Sequence, residues 1–385
     1  MTYDFFAPST RDDPYSLFNR LRNNDPVFET DFGYWYVTRY DDVAKLLRDP
    51  RLIAGQGVPD SLGVREGTLR AVMDAWLMAT DGAAHARTRR LISRAFTPRA
   101  VEALRMPVTL LADRLVFDLV AAGGGDIITA LAYPLPMEVV RLLFGVDADR
   151  WGVEVAEVFD PSAPGSEGGF LDRLQQLADF FDVLVGERRT AWGDDVFSAL
   201  FTADDGGETL SDLELKANAV LLVTAGFETT MSLITLAVRT LLLHRDQLQL
   251  LRDDHTLVHQ AVDEVLRFEP AALSTTRHTT VDVEVNGRVI PAGQNVLFSL
   301  AAANRDPDRY DRPDEFDITR SDIRPLTFGA GVHKCIGAAL AHMEAEIALL
   351  ALIDGAPQLR LRDESCTWQQ ANPTIRRPTA LGVDA

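Results

Sequence analysis

The sequence predicts a mainly α-helical protein with small β-sheets. Three observations carry this expectation. Helical periodicity dominates residues 83–266 with only two breaks, short β-like runs bounded by turn residues lie on either side, and one apolar stretch is far too long for a strand. The chain has 385 residues and is 46% hydrophobic, enough for a large core. No stretch reads as an interdomain linker and no internal repeat is visible, so residues 1–385 are read as a single domain.

The elements follow in order. Val27–Glu29 and residues 34–37 flank Asp31-Phe32-Gly33, a hairpin signal. Residues 41–48 read as a short helix stopped by Pro50, and the glycine-rich, aperiodic residues 51–70 as a loop. The helical region is interrupted at Gly123-Gly124-Gly125 and again at residues 161–169. Strands return at 281–285 and Arg288–Ile290 around Asn286-Gly287, the strongest short hairpin signal. Pro291-Ala292-Gly293 turns into a strand at 295–300, helix resumes at 336–353, and the tail holds short strands.

Composition excludes some classes of function. A net charge of −19 argues against sequence-independent binding to nucleic acid or to an anionic membrane surface. The N-terminal residues lack a basic segment followed by an apolar run, so no signal peptide is expected. Cys335 and Cys366 are the only cysteines, which suggests no disulfide framework and fits a reducing cytoplasm. Residues 217–243 are apolar and long enough to span a bilayer. Glu228 and Arg239 lie within that run, however, and a central charge costs roughly 2.5–3.5 kcal/mol in lipid. A buried central helix is the expectation.

The most informative segment is Phe328-Gly329-Ala330-Gly331-Val332-His333-Lys334-Cys335-Ile336-Gly337. Its glycines allow a tight curl that can aim amide N–H groups at one sulfur, and the strong helix that follows favours thiolate over thiol. Gly337 leaves room for a flat group to approach the backbone. Taken alone, Cys335 reads as an ordinary buried cysteine in a glycine-rich turn. The whole segment, though, resembles the haem-binding loop of the cytochrome P450 family, F-G-x-G-x-H-x-C-x-G, at every specified position. Other landmarks of the soluble bacterial members follow in order along nearly the whole chain.

The resemblance implies the cytochrome P450 fold, a long central helix over a b-type haem (iron protoporphyrin IX), and Cys335 as the axial iron ligand. Within that helix, Ala225-Gly226-Phe227-Glu228-Thr229-Thr230 places a glycine and polar groups in an apolar run, a local cost that often marks function. A kinked helix with satisfied hydroxyls is the plainer account. The family carries A-G-x-[D/E]-T here. Gly226 would then open space for dioxygen, Thr229 would hydrogen-bond it, and Glu228 would relay protons. Haem contacts are implied for His85, Arg89, Ala225, Arg277, Phe328, Gly329, His333 and Gly337. His85 and Arg89 match the family's H-x-x-x-R propionate clamp, although Asp81-Gly82-Ala83-Ala84 departs from the usual D-P-P-E-like turn before it. An ordinary helix pair and an exposed arginine are the plain alternatives for the clamp and for Arg277.

Glu264 and Arg267, at i and i+3, match the family's E-x-x-R pair, and Pro313, Phe316 and Arg320 supply the expected third member as Arg320. A solvated surface pair is the alternative. Asn304-Arg305-Asp306-Pro307 matches a structural landmark, and Cys366 has no motif. A substrate pocket is implied at residues 51–80 and 160–175, Leu221, Thr224, Ala225, Leu273 and Thr374.

The implied function is monooxygenation of an organic small molecule by hydroxylation or epoxidation, with secondary-metabolite tailoring as a plausible setting. The partners would be O2 and a ferredoxin served by an NAD(P)H-dependent ferredoxin reductase, acting on a cytoplasmic monomer. A peroxide-driven or isomerase-type haem-thiolate enzyme, a haem-based gas sensor and a membrane protein are the alternatives. The Glu228-Thr229 pair and the lack of a visible signalling domain argue against the first two of these. Arg87, Arg90 and Arg94 share a helix face opposite His85, read either as a solvated basic face or as a docking stripe for the ferredoxin.

Overall fold

The computed structural model describes residues 8–55, 63–151, 169–190, 193, 195–201, 207–369 and 374–385. Contacts divide the chain into two compact units. The first comprises Met1–Ile53, Pro107–Leu135 and Thr229–Ala385, and the second Ala54–Met106 and Pro136–Glu228. The division falls inside the long helix Asp212–Leu243, between Glu228 and Thr229.

All the described strands lie in the first unit. They are β1 (Val27–Glu29), β2 (Trp35–Val37), β3 (Leu52–Ile53), β4 (Gly124–Asp126), β5 (Ser274–Thr279), β6 (Val283–Val285), β7 (Arg288–Ile290), β8 (Asn295–Ser299), β9 (Arg360–Leu361) and β10 (Gly382–Asp384). The main sheet has the order β1-β2-β8-β5-β3, with β2 and β8 parallel and the other pairs antiparallel. Asn286 and Gly287 both take positive φ, 50° and 73°, as a type I′ hairpin turn between β6 and β7 requires. Against the sheet pack Val43, Leu46 and Leu47 of the short helix Tyr40–Leu46 and its end, together with Leu326 and Ala330 from the start of the cysteine loop. The loop is thus seated on a rigid floor.

Two elements differ from expectation. The triple glycine at 123–125 is more than a helix break, because β4 pairs with β10 at the far end of the chain. Gly124 has φ 114°, and a Cβ there would run into the Val383 carbonyl, so only glycine permits this pairing. The expected loop at 51–70 also contains a short strand, β3, paired with β5, and the start of the helix Thr68–Asp74.

In the second unit, Phe144, Trp151, Phe180, Phe181 and Phe197 form a continuous aromatic core. Asn218 of the long helix is 1% exposed, accepts from the Leu77 N–H at 2.8 Å and donates to the Ala75 and Glu214 carbonyls. This side chain pins the helix to the turn before the His85 segment. The 18-residue apolar window of the long helix is 67% buried, as a core helix requires.

Helix Ala338–Gly355, which follows the cysteine loop, holds an unusual acid. Glu344 is buried, its Oε2 has no hydrogen-bond partner, and burial pushes its carboxyl up to about 8. A raised folded-state value favours the protonated form, so this contribution is present below the unfolded value near 4.5 and is lost as pH rises through about 8. Glu344→Gln is therefore expected to stabilise the protein, by about 2–4 kcal/mol more at pH 8 than at pH 5, read from denaturant midpoints at the two pH values. A gain independent of pH would show that the acid is not held neutral.

Candidate functional site

The cysteine loop is built by turns. Gly329 donates to the Leu326 carbonyl at 2.7 Å, Lys334 to Gly331 at 3.2 Å, and Cys335 to Phe328 at 2.8 Å. These three amides close the loop on itself. Gly329 and Gly331 take φ of 68° and 73°. At Gly331 an added Cβ would lie 2.6 Å from the Leu47 carbonyl, so glycine here also serves close packing against the end of the Tyr40–Leu46 helix. Gly331–His333 forms a 3₁₀ turn, and Gly337 is the N-cap of Ala338–Gly355. Cys335 is exposed rather than buried, which removes the ordinary core-cysteine reading. Cys366 fits that bland description instead. It packs half-buried on Leu236, Ala271 and Trp368, and burial pushes its thiol up, against thiolate formation.

One residue that the sequence left as a mere landmark holds the loop in place. The Asn304 amide donates to the Leu266 carbonyl at 3.1 Å and to Thr327 Oγ1 at 2.9 Å, while its Oδ1 accepts from Leu326 N–H at 2.7 Å. It ties the start of the loop to the helix Val258–Phe268. That helix carries Glu264 and Arg267, both 0% exposed, in a bidentate pair with two bonds of 2.7 Å. Arg320 Nε approaches Glu264 Oε1 at 3.4 Å, and Asp317 N–H donates to the same oxygen at 3.0 Å. Arg267 also caps the carbonyls of Asn304, Pro313 and Glu315. The structure thus brings Glu264, Arg267 and Arg320 together in the core and not on a solvated face.

The long helix runs without interruption through residues 225–230. Ala225 and Gly226 are exposed within this largely buried helix, and Glu228 and Thr229 are half-buried. Nothing would meet a Cβ added at Gly226 within 4 Å. Thr224 donates to the Val220 and Leu221 carbonyls at 2.9 and 3.2 Å, so its hydroxyl proton is used inside the helix. Leu221 is buried. Leu273 N–H donates to the Thr374 carbonyl at 2.8 Å, which places these two expected pocket residues side by side. Residues 56–62 and 160–168 of the expected pocket lie outside the described residues.

His85 is 2% exposed on the helix Gly82–Ser93, and Arg89 lies one turn on, half-buried. The unusual start of that helix has a physical form. Gly82 sits at φ 60°, and the Asp81 carboxylate accepts from the Ala54 and Gly55 N–H groups at 3.1 and 2.8 Å. Two arginines of the basic stripe on the opposite face meet carboxylates. Arg87 is engaged by Glu214 and the Thr209 carbonyl, and Arg90, half-exposed, approaches Glu208 at 3.4 Å. Arg277 is buried, not exposed, and donates to the Thr276 carbonyl at 2.7 Å.

This donor set fits a haem. It offers one exposed thiol at the start of a helix, buried cationic Arg277 and half-exposed His333 in the same unit, and no Cβ at Gly337 to obstruct a flat macrocycle. The fold and this loop define a haem-thiolate enzyme. The cytochrome P450 family model matches residues 163–354. The chain is 38% identical over 390 residues to cytochrome P450 monooxygenase PikC of Streptomyces venezuelae, covering 96% of this chain and 91% of that one. It is 37% identical over 377 residues to 6-deoxyerythronolide B hydroxylase of Saccharopolyspora erythraea, covering 93% and 92%. Among solved structures it superposes on CYP109Q5 from Chondromyces apiculatus with a TM-score of 0.92 at 34% identity, covering 100% and 98%. The chain belongs to the cytochrome P450 family, of the bacterial type, and is a haem-dependent monooxygenase.

Proposed function

We propose that this monooxygenase hydroxylates a largely apolar natural product, with Cys335 as the residue that would hold the haem iron and Glu228-Thr229 as the proton-handling pair. The single observation that carries the reading is the exposed Ala225-Gly226 step beside Glu228 and Thr229, in the same chain as the exposed Cys335 loop. The haem, when bound, supplies reductive activation of dioxygen. Cys335 provides the thiolate, and its loop is held by the Asn304 bonds and by the floor beneath Leu326 and Ala330. Arg277, His333, His85 and Arg89 supply positive charge and donors for the propionates, and Ala225, Phe328, Gly329 and Gly337 supply close apolar and backbone contact. Gly226 leaves room for dioxygen, the Thr229 hydroxyl steers the proton, and the Glu228 carboxyl renews it.

The substrate class is supported by PikC and 6-deoxyerythronolide B hydroxylase as relatives, and by the character of Leu221, Thr224, Leu273 and Thr374. With its proton committed, Thr224 can only accept a bond from a substrate hydroxyl. A screen of hydroxylated apolar metabolites, read as the haem spectral shift on ligand binding, tests the class. No shift with any of them, alongside a clear shift with charged polar ligands, would contradict it. Electrons are expected from a ferredoxin and its NAD(P)H-dependent reductase, in the cytoplasm, with the whole chain acting as one catalytic domain.

Thr229→Ala is expected to bind substrate normally but to yield less product per NAD(P)H, with hydrogen peroxide making up the difference. Glu228→Gln keeps size but removes the ionisable group, so oxygen-dependent turnover should slow by about 10²-fold with little change in substrate affinity. Unchanged coupling in Thr229→Ala would remove that residue from proton delivery.

A further inference from the structure

Two helices of the first unit carry matching pairs of metal-type ligands one turn apart. His259 and Asp263 lie at i and i+4 on Val258–Phe268, and His342 and Glu346 at i and i+4 on Ala338–Gly355. The helices pack so that the two imidazoles stack with centroids 4.7 Å apart. One ligand atom from each of His259, His342 and Glu346 lies within 4.8 Å of the others. None of these residues takes part in the reaction described above.

We propose that His259, His342 and Glu346 bind one divalent transition-metal ion of the zinc type, with Asp263 orienting His342. A tetrahedral zinc ion with bonds of about 2.0–2.1 Å holds its ligand atoms roughly 3.3 Å apart. The Glu346 Oε1 distances to His259 Nδ1 and His342 Nδ1, 2.8 and 3.6 Å, bracket that spacing. His342 Nδ1 is buried and has no hydrogen-bond partner, while its Nε2 meets Asp263 Oδ1 at 3.0 Å. That is the division of labour expected of a ligating histidine: one nitrogen for the metal and the other bonded to a carboxylate that fixes the ring. The side chain of His259 is 65% exposed and gives access from solvent, and water completes the coordination.

Phe328 of the cysteine loop lies 6.0 Å from the His342 ring, so the site stands one aromatic contact from the thiolate loop.

Calorimetric titration of Zn²⁺ into the holoenzyme at about pH 7.5 tests this. The wild type is expected to bind one ion per chain. His259→Ala, a change at an exposed side chain, and Glu346→Gln should each weaken binding at least about tenfold with the haem spectrum unchanged. His255→Ala, whose ring lies 3.6 Å from Asp354, should bind as the wild type does. Absence of binding in the wild type, or wild-type affinity in His259→Ala, would overturn the proposal.

Discussion

Arg267→Met is expected to lower stability by about 3–5 kcal/mol, because it leaves the Glu264 carboxylate buried without its bidentate partner. Arg320 at 3.4 Å and the Asp317 N–H at 3.0 Å cannot replace two charge-assisted bonds of 2.7 Å. The same substitution also uncaps the Asn304, Pro313 and Glu315 carbonyls. Asn304 in turn holds Leu326 and Thr327 at the start of the cysteine loop, so haem retention should fall together with stability. The double variant Glu264→Gln, Arg267→Met removes the orphaned charge and should recover part of the loss. Denaturant midpoints and haem content of purified protein measure both effects. A single variant as stable as the wild type would show that the network contributes only packing.

Much of this architecture was legible from local pattern. The Asn286-Gly287 hairpin, the strand before Gly33 and the short helix after Tyr40 follow from turn chemistry and periodicity over a few residues. The long helix was legible because nothing but a helix buries so extended an apolar run. What escaped depends on partners far along the chain. Triple glycine looks like a break until Gly382–Asp384 arrives to pair with it. The short β3 reads as part of a loop until β5 pairs with it. The site shows the same division. The cysteine loop and the Glu228-Thr229 pair are contiguous and could be read directly. The burial of Arg277, the Asn304 tether, and the carboxylates that meet Arg87 and Arg90 are tertiary facts. The i, i+4 pairs at His259 and His342 carry no sequence signal of their own, and only helix packing joins them.

Cys335→Ala is expected to abolish monooxygenation, an effect larger than that of any proton-relay variant. No second thiol can substitute. Cys366 sits in an apolar cluster with Leu236, Ala271 and Trp368, its thiol held protonated by burial and outside any glycine-curled loop. The Cys335 loop, by contrast, is fixed by three internal backbone bonds and by Gly331 against Leu47, so the fold should tolerate loss of one exposed sulfur. Cys366→Ala should leave activity near that of the wild type. The most direct measurement is the absorption spectrum of the dithionite-reduced, carbon monoxide-bound protein in wild type and in both cysteine variants. A strongly red-shifted Soret band, kept in Cys366→Ala and lost in Cys335→Ala, is the predicted result. An imidazole-type band in fresh wild-type protein, or a red-shifted band that survives Cys335→Ala, would contradict the assignment of Cys335 as the axial ligand.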